Sequence, residues 1–204
     1  MTAEYRILKE DEVNLALFDA FDRKQEVTRC WRKLGGEWVV KDVPFVDDWS
    51  SEKYREQVRY LRELIHSGGY AVGAFCGGKL KGFASVEPVP FGVHAAYLNL
   101  SNLHVSRERR RQGIGAGLFV LAKEWAREQH ADKLYISAHS SVESQAFYRA
   151  MGCVEAVEVN RELAEEEPFD CQMECVLTES VAQGAVPGAD ERELRDAGDK
   201  ERKE

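Results

Sequence analysis

The chain has 204 residues, 44% of them hydrophobic and 31% charged, with a formal net charge of −8. That length and balance suit one domain of ordinary size, and the acidity opposes broad binding to nucleic acid or an anionic membrane. No stretch approaches the roughly 20 apolar residues of a membrane span, the first twelve residues lack the apolar run of a signal peptide, and five cysteines without a CxxC pair read as buried thiols in a reducing cytoplasm rather than as a disulfide or zinc framework.

TAEYRILK (2–9) reads as an opening strand. Apolar residues at Val13, Leu17, Ala20, Phe21, Val27, Trp31 and Leu34 then recur at helical spacing and predict a helix ended by Gly35-Gly36. EWVVKDVPFVDDW (37–49) reads as extended chain or loop. Ser50 or Ser51 caps a second helix with Tyr54, Val58, Leu61 and Ile65 on its apolar face, stopped by Gly68-Gly69. YAVGAFC (70–76) and KLKGFASVE (79–87) flank Gly77-Gly78, a pair suited to the positive φ angles of a two-residue hairpin turn.

After Pro88 and Pro90 comes a strand at 95–106 whose apolar parity changes, from Leu98 and Leu100 to Leu103 and Val105. Side chains alternate faces strictly along a strand, so the change implies an extra residue, a β-bulge at 100–103. Such a bulge splays the strand from its neighbour and leaves backbone groups for a ligand. A helix follows on Ile114, Leu118, Leu121, Ala122 and Trp125, then a strand at 133–138. Ser140 and Glu143 have capping-box spacing for a short helix closed by Gly152, and 153–159 and 171–177 read as strands. Residues 1–178 form the expected domain, and 179–204, poor in large apolar residues, a disordered tail. The element order predicts an α/β fold with a mixed, mainly antiparallel sheet.

The densest positive cluster, RERRRQGIGAGL (107–118), lies between the irregular strand and the helix. A nucleic-acid patch, a phosphate cradle and a solvated loop all fit the arginines alone. Strand, glycine turn and helix N-terminus together make an anion site, because the first N–H groups of a helix have no partner within it and carry its positive dipole end. A Walker loop needs GxxxxGK[ST] and a dinucleotide turn needs GxGxxG; neither is present. The pattern met is [QR]xxGx[GA], through Arg110, Gly113 and Gly115.

That segment resembles the acyl-CoA pyrophosphate loop of the GNAT superfamily of N-acetyltransferases. The bulge stands where those enzymes splay a strand, and SSVESQAFYRAMGCVEA (140–156) resembles their second motif. The specific resemblance covers about 95–159, and strand order extends it loosely from 2 to 177. It implies the GNAT fold, acetyl-CoA as co-substrate and no metal. The backbone of Leu103 and Val105 would pair with the pantetheine arm and acyl oxygen, while Arg110, Arg111, Gln112, Gly113, Gly115 and Ala116 would surround the pyrophosphate, mostly through main-chain N–H groups. Arg107 and Arg109 would screen a 3′-phosphate or be solvated, and Gly117 would serve close helix packing. Tyr148 matches the tyrosine that protonates the leaving thiolate.

Two positions depart from the family pattern: Ser141 replaces an Asn, and Cys153 an aromatic residue. Glu87 and His104 are the candidate bases, each weighed against an ordinary exposed side chain. The implied acceptor is a small-molecule amine. Trp31, Trp38, Asp47, Asp48 and Trp49, with Glu165–Glu167 and Asp170, would suit a cationic one. A protein N-acetyltransferase and a non-catalytic acyl-CoA-binding module are the alternatives. Neither nucleic acid nor membrane is expected as a partner, and the oligomeric state, a homodimer included, is left open.

Overall fold

In the computed structural model, which describes residues 2–177, β1 (Glu4–Ile7) pairs with β4 (Tyr70–Cys76) at one edge of a seven-stranded sheet ordered β1-β4-β5-β6-β7-β9-β8. The other strands are β5 (Lys79–Val86), β6 (Tyr97–Val105), β7 (Lys133–Ala138), β8 (Val154–Glu155) and β9 (Cys171–Val176). All neighbouring pairs are antiparallel except β6 with β7. The mixed, mainly antiparallel α/β architecture expected from the sequence is therefore present. The tail expected from 179 lies outside the described residues.

Two apolar layers sandwich the sheet. On one face Val72, Ala74, Ala84, Val86, Leu98 and Leu100 pack with Ile114, Leu118, Phe119 and Ala122 of α2 (Ile114–Glu128) and with Tyr148 of α3 (Val142–Ala150). On the other, Leu8, Ala71, Phe75, Leu80 and Phe83 pack with Leu61 and Leu64 of α1 (Ser51–His66). Ser50 caps α1, its side chain accepting from the Lys53 N–H at 3.2 Å.

Residues 13–34 are not a helix. Two 3-10 turns, Glu10–Glu12 and Leu15–Phe18, lead into β2 (Gln25–Leu34), which pairs with β3 (Glu37–Asp47) through a two-residue turn at Gly35-Gly36. A register shift between Val27 and Arg29 turns both Val27 and Cys30 inward, at 2% and 0% exposure, with exposed Thr28 and Arg29 between them. That bulge imitates the three-residue spacing of a helix within a strand. The five cysteines are free and buried, as expected.

Three smaller differences concern the end of the domain. Ser141, not Ser140, caps α3, accepting from the Ser144 N–H, while Ser140 accepts from Arg32 at 2.8 Å. Within 153–159 only Val154–Glu155 form a strand. The chain then turns away into α4 (Arg161–Glu166), capped by the Asn160 side chain and not anticipated from the sequence.

Gly117 has the packing role expected of it: a Cβ there would lie 2.4 Å from the Tyr5 hydroxyl oxygen on β1. Gly117→Ala should therefore cost about 1–3 kcal/mol of overpacking strain. In a urea-unfolding double-mutant cycle, Tyr5→Ala with Gly117→Ala should lose less stability than the two single changes summed.

Candidate active site

The site is built on the divergence of β6 and β7. Their parallel pairing covers only Tyr97–Asn99 against Lys133–Tyr135, although both strands run on. Against β5, Val86 pairs with Leu100 and Ser85 with Asn102, so Ser101 is the extra residue of a bulge, inside the span read from the parity change. Ser106 N–H donates to Lys81 O at 2.8 Å. Ladder alternation then turns the main-chain groups of Asn102 and His104 toward β5, and those of Leu103 and Val105 toward the gap.

The open end of this V is bridged by β2 and the residues before it. On the β6 side, Arg107 N–H donates to Asp22 O at 2.8 Å, and Asp22 N–H donates to Ser106 Oγ at 2.9 Å. On the β7 side, Trp31 N–H donates to Ser140 O at 2.8 Å, and Cys30 bridges to Ser141. Ser141 is fully buried in that junction and in the cap of α3.

At the start of α2, Arg111 has φ 61° and Gly113 φ 83°, and the space around Gly113 is open. Gly117 N–H is the first to close onto an upstream carbonyl, that of Gly113, at 3.0 Å. The N–H groups of Ile114, Gly115 and Ala116 thus point outward at the positive end of the helix. A cavity of about 220 Å³ opens here, lined by Ala3, Tyr5, Cys76, Gln112, Gly113 and Ile114. A Cβ on Gly115 would touch both Phe147 of α3 and Val105 of β6, so loop, strand and α3 converge at this point.

The arginines divide their work. Arg107 pairs with Glu26 at 2.8 Å. Arg110 is turned inward, its Nε donating to Val105 O at 3.0 Å and its Nη2 to Arg23 O at 2.9 Å. Gln112 donates to Glu108 O at 3.1 Å and accepts from Arg109 at 3.4 Å. Arg111 is exposed and makes no ion pair with a described residue. Glu108 anchors the loop: burial opposes its charge, yet bonds from Lys81 and Ser106 hold its carboxyl down at about 2.

Tyr148 is 9% exposed, its ring 6.0 Å from that of Phe119 and 5.1 Å from that of Phe147. Burial pushes its phenol well above the usual range, so it keeps its proton. Glu87 stands at the closed end of the V, accepting from Tyr60 at 2.8 Å and from Asn99 at 3.1 Å. His104 is not an outward-facing side chain: Trp49 and Phe83 flank it at 5.0 and 5.3 Å, and burial lowers its pKa so that it is neutral.

The aromatic and acidic residues considered for an acceptor fall into two groups. Near His104, Arg23 pairs with Asp47 at 2.7 Å and lies 5.6 Å from the Trp49 ring. His139 stands 5.9 Å from Phe45. Trp31 and Trp38 lie elsewhere: Arg149 covers Trp31 at 5.2 Å, and Trp38 donates to Glu155 and lines a 400 Å³ cleft with Gln145, Arg149 and Cys171. Asp170 is lifted to about 7, by burial first and then by the charge of Glu167. The sequence reading passed over Tyr60, Ser85, Ser101 and His139, which no local pattern marks.

A sequence model of the Acetyltransferase (GNAT) family matches residues 27–153. Among solved structures, nourseothricin acetyltransferase is 18% identical and covers 87% of this chain and 100% of its own, with a TM-score of 0.63. A protein described as a streptothricin acetyltransferase from Bacillus anthracis str. Ames, solved with acetyl coenzyme A, is 20% identical, covering 85% and 96%, with a TM-score of 0.63. PaiA N-acetyltransferase from Thermoplasma acidophilum, solved with coenzyme A, is 17% identical, covering 86% and 99%, with a TM-score of 0.53. No curated protein sequence matches the chain significantly.

Asp170 gives a pH-dependent expectation. A carboxyl raised on folding binds its proton more tightly in the native state, so stability is lost as pH rises from about 4 through about 7. The stability gained by Asp170→Asn over the natural protein, read by thermal unfolding, should grow across that window and level off above it.

Proposed function

The chain belongs to the Acetyltransferase (GNAT) family, and we propose that it is an N-acetyltransferase carrying the acetyl group of acetyl-CoA to the amine of a small, cationic molecule. The observation that carries this reading is the V itself. The main-chain groups of Leu103 and the Val105 N–H face a gap with no strand to pair them, the Val105 carbonyl being taken by Arg110, and the open N-terminus of α2 stands beside it. An elongated ligand with amides at one end and a polyanion at the other matches both features.

In this reading the outward N–H groups of Gly113, Ile114, Gly115 and Ala116, with the Arg111 side chain, hold the pyrophosphate. Arg110 acts differently from an anion ligand, bracing the loop against β6 and Arg23. The thioester supplies an activated acetyl group. The acceptor nitrogen forms a bond to the acetyl carbon and gives up a proton to water, the carbon–sulfur bond breaks, and Tyr148 supplies the proton that the departing sulfur takes up and regains one from water. Burial keeps the Tyr148 phenol protonated, so the proton is in place when the sulfur departs.

Asp47, Asp170, Trp49 and His139 line the acceptor side under this reading, where carboxylates and aromatic faces favour a cation. The nourseothricin and streptothricin acetyltransferases among the similar folds support a small-molecule acceptor.

The test is thiol release from acetyl-CoA across a panel of amines. Gly113→Val should abolish acetyl-CoA binding, because a β-branched residue is strained at φ 83° and its side chain would enter the open space. Tyr148→Phe should bind acetyl-CoA normally and lower kcat by about 100-fold. Equal loss of binding in both variants would contradict the assigned roles.

A further inference from the structure

Four of the buried cysteines, Cys76, Cys153, Cys171 and Cys175, belong to the apolar layer under α2 and α3. Two of them meet across a ladder. β8 and β9 are antiparallel, with Val154 opposite Glu174 and Glu155 opposite Met173, and the same register carried one residue back sets Cys153 opposite Cys175.

The main-chain bonds decide what kind of pair this is. Ala156 N–H donates to Gln172 O at 3.0 Å, so Ala156 with Gln172, and Val154 with Glu174, are the hydrogen-bonded positions. Cys153 N–H turns away from β9 and donates to Tyr148 O at 3.0 Å, at the end of α3. Cys153 and Cys175 therefore hold a non-hydrogen-bonded position, where opposite Cα atoms stand about 4.5 Å apart and side chains leave the same face. A disulfide spans Cα atoms about 4.4–6.8 Å apart. Cys175 Sγ lies 4.0 Å from Met151 O, so this thiol leans toward the corner that Cys153 completes.

Both residues are buried, at 4% and 3% exposure, yet Cys153 also lines the cleft beside Trp38 and Arg149. A reagent of water's size can reach the pair by that route, and a bulky one cannot. The Cys153 thiol first, and then the Lys123 ammonium, draw the Cys175 thiol down to about 6 against the opposing effect of burial.

We propose that Cys153 and Cys175 are a peroxide-sensitive modification site, closing to a disulfide that ties the end of α3 to β9. The oxidant is hydrogen peroxide. The Cys175 thiolate attacks one peroxide oxygen, the oxygen–oxygen bond breaks, and the departing hydroxide takes up a proton to become water. The Cys153 sulfur then attacks the sulfenic sulfur. A sulfur–sulfur bond forms, the sulfur–oxygen bond breaks, and the hydroxyl leaves with the Cys153 proton as a second water. Two thiols are oxidised and one peroxide is reduced. The pairing rests on the ladder and stands apart from the acetylation reading.

The experiment treats the folded natural protein with hydrogen peroxide, blocks the remaining thiols with iodoacetamide in urea, and maps peptides by mass spectrometry without reductant. A Cys153–Cys175 linked pair should appear, two hydrogens lighter than its parts, with the other three of the five cysteines alkylated. Dithiothreitol should reverse it. Cys171→Ala should keep the linkage and Cys175→Ala should lose it. Alkylation of both Cys153 and Cys175 after treatment, their recovery as unlinked sulfinic acids, or linkage of either to Cys171 overturns the pairing. So does a Cys153–Cys175 link that forms no faster in the folded protein than in urea, where only chance encounter joins the two.

Discussion

Strands β6 and β7 share three residues of pairing and then part, and the rest of the architecture follows from keeping them apart. Main-chain groups facing a gap cannot stay unpaired away from water; each orphan costs about 1–3 kcal/mol. The fold answers at two places. At the apex, Ser101 absorbs the change of register against β5, so the sheet stays intact on that side. At the mouth, the chain from Asp22 to Trp31 bonds to both arms and fixes their separation. What lies between is a slot whose walls are already set before any ligand enters.

The arginine run looks like a basic patch in sequence and behaves as a fastener in space. Arg107 reaches Glu26, Arg110 reaches two carbonyls, and Glu108 is tied to Lys81 and Ser106. Three of the five residues from 107 to 111 thus spend their charge on holding the loop to β2, β5, β6 and the Arg23 carbonyl. The turn at Arg111 and Gly113, rather than net charge, turns the N–H groups of Ile114, Gly115 and Ala116 outward at the start of α2.

Much of this was legible in the sequence where a signal was local. The parity change from Leu100 to Leu103 located the bulge, and Gly113 marked the left-handed turn before α2. The same kind of irregularity misled at Val27 and Cys30, because a bulge in a strand with two buried residues three apart looks like one turn of helix. Adjacent serines at 140 and 141 cannot be told apart by spacing, and only the fold shows which one caps α3. Ser85, Ser101 and Tyr60 sit on three separate elements, and Glu87 lies just past the end of β5. No window of sequence could have assembled them, since they meet through the stacking of α1 on the sheet.

The β2–β3 ribbon pairs with none of the main sheet's strands, although its Trp31 and Trp38 pack against the core on the α2 side. Its ties to the slot run through backbone atoms and through the side chains of Gln25, Glu26 and Arg32, with Asp22 and Arg23 just before it. Outside those points its side chains carry no duty to the donor half of the molecule. Change can therefore rewrite the ribbon's exposed surface while the turn and the open start of α2 beside the slot keep their geometry.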